Sequence, residues 1–446
     1  IGYDEFGDET TGKAEDGIFG ARHPSNTAFY VNDKIELSDV VVNVGLRYDI
    51  MALDDATWTD PENPAYDEAQ FGVDEDGMEV SDTKGILQPR LGLAFPLSDR
   101  SVFHLQYGKF AQFPELATAY KGAGVIATVF GGQNYIRDPV AFDLDPIVTN
   151  QFEVGFSYEF LDGAAFDITA FTRNTVGQLT LAWISVGDNI FNVAPNTAVY
   201  VNGDFTSATG VEFSLVTRRL NRLQAIVNYT WTSARGTNSY PNDMAGTLNF
   251  TTVPVPTMIS PLSYQLKHKG TVNLDYRFGA NEGGFLANTG LNLLFSFNSG
   301  HPFTHVDGGF GQRAADEGAL LATDTRQRIP QEPVGNSTTP WVFNTDLRIN
   351  KGIAVGNINL DAYLLVTNLY NRQHVLDVYG RTGNAYDDGF LTTPELSEVI
   401  LNNHTALYSE LYEVVNLENR SHYRRDMGAD LFGTPRQIKV GIGLTF

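Results

Sequence analysis

Apolar residues fall at every second position of this chain, in stretches of about ten residues. Asn150 to Phe160 shows the pattern most clearly. Phe152, Val154, Phe156, Tyr158 and Phe160 alternate with Gln151, Glu153, Gly155, Ser157 and Glu159. The last stretch repeats it, with Ile438, Val440, Ile442, Leu444 and Phe446 set against Lys439, Gly441, Gly443 and Thr445. A period of two puts successive side chains on opposite faces of a β-strand, so each stretch predicts a strand with one apolar and one polar face. The same alternation predicts strands over 27–37, 40–50, 86–96, 101–110, 150–160, 164–177, 207–220, 222–235, 267–278, 285–298, 341–352, 357–371 and 435–446. Asp162-Gly163 between two of them is a tight hairpin signal.

The connections sort by length. Short turns near 38–39, 97–100, 161–163, 221, 279–284 and 354–356 alternate with long loops at 1–26, 51–85, 111–149, 178–206, 236–266, 299–339 and 372–433. A soluble sandwich has no reason to order its connections by parity. A transmembrane barrel does, with short periplasmic turns and long extracellular loops, and its tilted strands need about 9–11 residues to cross. The expected fold is therefore all-β: a transmembrane antiparallel β-barrel wall of about thirteen strands. Parity makes 1–26 an extracellular loop and 27–446 the C-terminal part of the barrel, and no N-terminal plug is visible. An odd strand count leaves strands 27–37 and 435–446 as open edges. Such edges cost several kcal/mol per unpaired group in lipid, so further strands are expected to cover them. The stretch PELSEVILNNHTALYSELYEVVNL in the longest loop is expected to carry helix.

Composition narrows the class. Of 446 residues 12% are aromatic, 43 are glycine and none is cysteine. The formal net charge of −23 argues against a nucleic-acid partner, whose phosphates it would repel. No apolar run reaches the length of a membrane helix. The expected partner of the apolar faces is outer-membrane lipid, and the expected location the outer membrane of a Gram-negative-type bacterium.

Candidate chemistry is sparse. No phosphate-binding glycine loop, nucleophile elbow or cysteine nucleophile is present, and no enzymatic activity is expected. His301, His305 and Asp307 have ligand chemistry in one loop, but a zinc site needs further ligands in fixed geometry. Asp74, Asp76 and Glu79, with Glu75 and Asp82, are oxygen-rich but lack the spacing of a twelve-residue calcium loop. The default for both sets is a solvated loop, with no metal assigned and calcium on the acidic loops as the alternative. Trp58, Tyr120, Tyr135 and Trp183 are loop aromatics that could stack on a ligand; the alternative is an interface belt, where amphipathic rings sit at headgroup depth.

Several stretches together resemble TonB-dependent outer-membrane receptors, in particular the Oar-like or SusC-like branch. They are VNDKIELSDVVVNVGLRYD (31–49), PRLGLAFPLSDRSVFHLQYGKFAQFPEL (89–116), NQFEVGFSYEF (150–160), GVEFSL (210–215), FNSGHPFT (297–304), NTDLRINKGI (344–353), LLVTNLYNRQHVLDVYGRTG (364–383) and PRQIKVGIGLTF (435–446). The resemblance implies a barrel of about 22 strands around a plug. It also implies import of a bulky nutrient (peptide, glycan or metal chelate), a TonB-type energy-coupling protein acting through the N-terminal part, and a surface lipoprotein as a further partner. A porin-like, adhesin or surface-assembly barrel is the alternative from another class. Either way Phe152, Val154, Phe156, Tyr158 and Phe160 should face lipid, with Gln151, Glu153 and Glu159 facing the lumen. Arginine should cost much at Val154 and little at Gly155 unless the lumen is crowded there.

Overall fold

The computed structural model describes residues 22–60, 66–67, 72–73, 77–121, 140–141, 143–185, 196–241, 258–282, 284–307, 329–355, 358–404 and 406–445. One antiparallel sheet dominates, built from thirteen long strands in strict chain order. They are β1 (Ser25–Glu36), β2 (Val41–Ala52), β3 (Lys84–Ser98), β4 (Ser101–Gln112), β5 (Ile147–Leu161), β6 (Ala164–Ser185), β7 (Asn196–Thr217), β8 (Leu223–Gly236), β9 (His268–Arg277), β10 (Thr289–Asn298), β11 (Val342–Val355), β12 (Ile358–Thr367) and β13 (Gln437–Thr445). β1 and β13 are the two edges and do not pair with each other among the described residues. The sheet is thus an open wall, as the strand count implied.

Register assigns the faces. Phe152, Val154 and Phe156 lie directly across from Tyr107, Leu105 and Phe103 on one side and from Thr172, Ala170 and Ile168 on the other. That apolar face carries two aromatic bands. Near the short turns, Phe166 packs on Phe156, Tyr158, Phe160 and Phe213 at 5.8–6.3 Å between ring centres, with Phe95–Phe103 and Tyr276–Phe278 alongside. Near the long loops, His268, Phe297, Trp341 and Phe343 form a second band across β9–β11, and Tyr229, directly across from Phe213, joins the two. Two aromatic girdles with aliphatic residues between them mark the two interfaces of a bilayer. Exposure agrees: Ile438, Val440 and Ile442 on β13 are 62–75% exposed with no protein over them.

The strand pattern departs from expectation most at 178–206. Residues 178–206 read as a loop, yet β6 runs on to Ser185 and β7 begins at Asn196. The alternation breaks at Gly177. That residue takes a left-handed φ of +75° at a β-bulge, which re-aims the strand without ending it. Beyond the bulge Leu181 and Tyr200 pack with Ala141 and Leu144. At the other end of the chain β1 begins at Ser25, inside the loop assigned to 1–26; residues 1–21 lie outside the described set. On β10 the strand starts at Thr289, because Asn288 adopts a turn φ of +56°.

The longest loop folds into a module of its own, with the expected helix. α1 (Leu116–Ala119) is a single turn elsewhere. In the module α2 (Pro394–Asn403) opens with proline in its first turn and Glu395 at its positive end. α3 (Leu407–Tyr412) continues into a π-helical stretch, Glu413–Glu418, and α4 (Ser421–Met427) stops at Gly428, whose φ is +66°. Phe390 stacks on Tyr412 at 4.7 Å, and the Tyr412 hydroxyl donates to the fully buried Asp388 at 2.6 Å. Burial pushes the Asp388 carboxyl up to about 6, against the opposing hydrogen bonds from Tyr412 and the Phe390 amide.

Val154 lies midway between the Tyr158–Phe166 rung and the Asn150–Asn174 rung. Arginine there should cost about 2–4 kcal/mol in urea titrations of the protein in lipid vesicles, against under about 0.5 kcal/mol for Gln106→Arg on the exposed lumen face. Gly155 does not behave as the open lumen position expected. A Cβ there would sit 2.3 Å from His104 Nε2 and 2.5 Å from Thr169 Oγ1, so Gly155→Arg should also destabilise, through overpacking. Topology is checked by labelling intact cells. Tags inserted in 51–85 or 372–433 should react, and a tag at Asp162-Gly163 should not. For Asp388, a folded pKa above the ordinary value of 3.8 opposes folding above pH 6, and this opposition fades as pH falls from 6 towards 4. Exchange protection of the module should therefore rise by up to about 3 kcal/mol between pH 7.5 and 4, and Asp388→Asn should flatten that dependence.

Candidate functional site: the lumen face and its extracellular loops

The polar face of the wall is hydrogen-bonded both along and between its strands. On β2–β4, Arg47 pairs with Asp49 at 2.8 Å, Gln88 donates to Asp49 at 2.6 Å, and the Ala111 amide donates back to Gln88. On β5–β6, Arg173 sits 3.5 Å from Glu153, while Ser157 and Thr169 both donate to Asp167. Asp275 on β9 takes Arg219 and Arg277 at 2.6 and 2.9 Å. Asn292 donates to Asn273, Arg348 to Asn350 and Asn344 to Asp346. Gln151, Glu153 and Glu159 therefore stand on the lumen side, as expected from alternation. Opposite charges on adjacent rungs nearly cancel, so the wall is polar and hydrogen-bonded without a strong field of one sign.

Three arginines lie over lumen-facing aromatic rings: Arg90 over Phe110 at 4.8 Å, Arg173 over Phe171 at 4.9 Å and Arg348 over Tyr363 at 5.0 Å. Guanidinium planes favour this cation–π arrangement. Glycines beside them open shallow hollows. One of about 530 Å³ includes Gly45, Gly92, Gly108, Arg90, Gln106 and Gln151; another of about 740 Å³ includes Gly290, Gly352, Arg348, Asn350, Asp361 and Tyr363. Amide, guanidinium and ring faces together suit a polar, partly planar solute or a polypeptide segment.

At the loop end, two clusters frame this face. In the first, Arg22 and Asp55 form a buried ion pair at 2.8 Å, tying the entry to β1 to the β2–β3 loop. Trp58 is 3% exposed inside that loop, on a short strand Ala56–Trp58 paired with Met78–Val80. Tyr120 donates its hydroxyl to the Leu53 carbonyl, and burial, then the nearby Asp55 and Asp54, push its pKa up to about 12. In the second cluster the β10–β11 loop packs on the helical module. His301 reaches Asp377 at 3.5 Å, and Tyr423 donates to the same carboxylate at 2.5 Å. Burial raises the Asp377 carboxyl, but hydrogen bonds from His301, Tyr423 and the Val378 amide outweigh it and hold it below its usual range. Glu332 is likewise held down, by the His305 amide first and Asn336 next.

The metal candidates do not converge. His301 is shared between Asp377 and Thr339, His305 stacks edge-on to Phe303 at 4.9 Å, and Asp307 sits in a two-residue strand opposite Ile329. Among the described residues no group of three or more His, Asp or Glu side chains meets at one point. Glu79 lies opposite Thr57 in the short β2–β3 hairpin, while Asp74 and Asp76 lie outside the described residues. Tyr135 also lies outside them, and Trp183 stands in β6 opposite Ala198. Alternation alone did not point to the module core of Tyr379, Phe390, Tyr412 and Asp388. The signal available was YGRTGNAYDDGF, a turn-rich run with aromatic residues spaced through it.

Comparison with known proteins places this geometry. No curated protein matches the chain. Among solved structures, the FrpB iron transporter from Neisseria meningitidis (F3-3 variant) is similar at 16% identity, over 79% of this chain and 42% of that one, with a TM-score of 0.48. The ferric-catecholate import receptor Fiu from K12 E. coli is similar at 17% identity, over 81% and 42%, with a TM-score of 0.46. P. aeruginosa FpvA bound to heterologous pyoverdines is similar at 11% identity, over 80% and 36%, with a TM-score of 0.48. The chain thus spans about two fifths of the length of these structures. The family model described as TonB dependent receptor-like, beta-barrel matches residues 2–371, and the chain belongs to that family of outer-membrane barrels.

Proposed function

We propose that this chain is the C-terminal part of the wall of an outer-membrane receptor that actively imports a bulky nutrient: a peptide, a glycan or a metal chelate. Family membership over residues 2–371 is the observation that carries this proposal. The wall's architecture supports it. A hydrogen-bonded polar face lines one side, and folded loops with buried cores crown the end where a solute arrives. Loops held by buried contacts suit capture of a specific solute better than free diffusion does, since ordering costs are met before the solute binds. Energy coupling through a TonB-type protein, a plug in the lumen, a surface lipoprotein partner and assignment to the Oar-like or SusC-like branch complete the proposal. The wall residues take no part in bond-making here; their work is binding and passage. Both edges, β1 and β13, need partner strands in lipid, because each unpaired backbone group there costs several kcal/mol.

The test is uptake by cells carrying the full-length gene, compared with a deletion strain on limiting peptide, glycan or ferric chelate as the required nutrient. Growth on one of the three should depend on the gene and stop when a protonophore collapses the proton-motive force. Growth that persists under the protonophore would assign a passive, porin-like barrel instead.

A further inference from the structure

Charge in this chain is sorted along the strand axis. The seven long loops, 1–26, 51–85, 111–149, 178–206, 236–266, 299–339 and 372–433, hold 39 aspartates and glutamates against 13 lysines and arginines. The strands and short turns hold 14 against 17. The formal net charge of −23 therefore belongs to one end of the wall, the end where a solute arrives.

The loop cations are spent locally. Arg22 pairs with Asp55 at 2.8 Å, Lys84 lies between Asp143 and Asp145 at 2.9 and 3.0 Å, and Arg420 holds Asp430 at 2.6 Å. Lys121 and Arg372 lie over the rings of Tyr200 and Phe343 at 5.8 and 5.6 Å. Glu79, Asp82, Glu115, Glu398, Glu410 and Glu413 are exposed and have no cation partner among the described residues. Glu398, Glu410 and Glu413 stand on α2, α3 and the π-helical stretch, so a folded module holds them in place. A field of one sign speeds the encounter of opposite charge by about 10–1000-fold and opposes like charge. It acts over about 8 Å at physiological ionic strength, so it selects at the mouth.

The lumen below does not reverse that selection. Its arginines are held by carboxylates: Arg47 by Asp49, Arg173 by Glu153 and Arg277 by Asp275. The rings of Phe110, Phe171 and Tyr363 each lie beneath a guanidinium, so the flat faces on which a sugar would stack are taken. Side-chain amides line both hollows, Asn43, Gln106 and Gln151 in one and Asn350 and Asn359 in the other. An amide both donates and accepts, as a peptide unit does.

We infer that the cargo is a cationic peptide, recognised first by the negative field of the loops and then by the amide-lined lumen. The inference rests on the import function proposed above and narrows its three nutrient classes to one. A neutral glycan draws nothing from the field, and an anionic ferric chelate is opposed by it.

The test follows uptake by cells carrying the full-length gene against a deletion strain. The probes are isotope-labelled peptide pools matched in length and of positive, zero or negative net charge, a neutral oligosaccharide and a ferric tricatecholate. At low ionic strength the positive pool should enter about tenfold faster than the negative one, dependent on the gene and on the proton-motive force, and the ratio should fall as salt is raised. Glu398→Gln/Glu410→Gln/Glu413→Gln should reduce that ratio about threefold, and Glu398→Lys/Glu410→Lys/Glu413→Lys should reduce it further. Heat-modifiability on gels confirms that each variant is folded. Equal gene-dependent uptake of the three pools would overturn the inference and leave the import function standing. So would gene-dependent uptake of the oligosaccharide or the ferric tricatecholate without the positive pool, or a ratio unchanged in both folded triple variants. Gene-dependent uptake of none of the probes would overturn the import function itself.

Discussion

Everything in this wall depends on one constraint: in hydrocarbon, each backbone N–H and C=O must find its partner on a neighbouring strand. Water cannot supply the missing bond, so the strands pair along their full membrane-crossing length. β5 illustrates it, with Val148 to Tyr158 paired on both sides at once. Once the ladder is fixed, side-chain direction is fixed too, because a one-residue slip would turn Val154 and Phe156 to the lumen and Glu153 to lipid. The penalty for a carboxylate in lipid then protects the register that the backbone demands. Girdles and lumen network both follow from that single alignment.

The wall was legible in the sequence for the same reason. A strand with lipid on one side and water on the other has to alternate, and thirteen of them do. Where the physics is less binary, the sequence said less. Beyond Gly177, β6 and β7 rise out of the membrane and are packed by local contacts such as Leu181 with Leu144, so neither face is held to one class of residue. The glycine looked like punctuation and is a bulge. The loop clusters lie in stretches without strand periodicity, yet Arg22–Asp55 and Tyr412–Asp388 are buried pairs whose partners lie 24 to 33 residues apart. No local periodicity encodes such contacts. The His301 group was noticed for its chemistry, and the fold spends that chemistry on joining two loops through Asp377.

Gly155 shows how the two faces differ in tolerance. The lipid face is bounded by fluid chains that move aside for an extra methyl group. The lumen face at this point is bounded by His104 and Thr169, whose side chains would have to shift to admit a Cβ. Polar lining therefore does not mean empty space. The wall's own side chains fill part of the lumen, and one hollow lies where Gly45, Gly92 and Gly108 fall close together on three successive strands.

Strand order identical to chain order has a consequence for biogenesis. Every pairing among the thirteen wall strands joins a strand to the one made just before or after it, with only β13 kept waiting by the helical module that separates it from β12. Such a sheet grows as a ribbon, one hairpin at a time, with low contact order despite its size. The β6–β7 pair, the most extensively bonded in the wall, is the natural seed for that growth. It also makes the hairpin the unit of inheritance. Duplicating or deleting two strands preserves every remaining register and both faces, whereas adding or losing one strand would invert the orientation of all that follow.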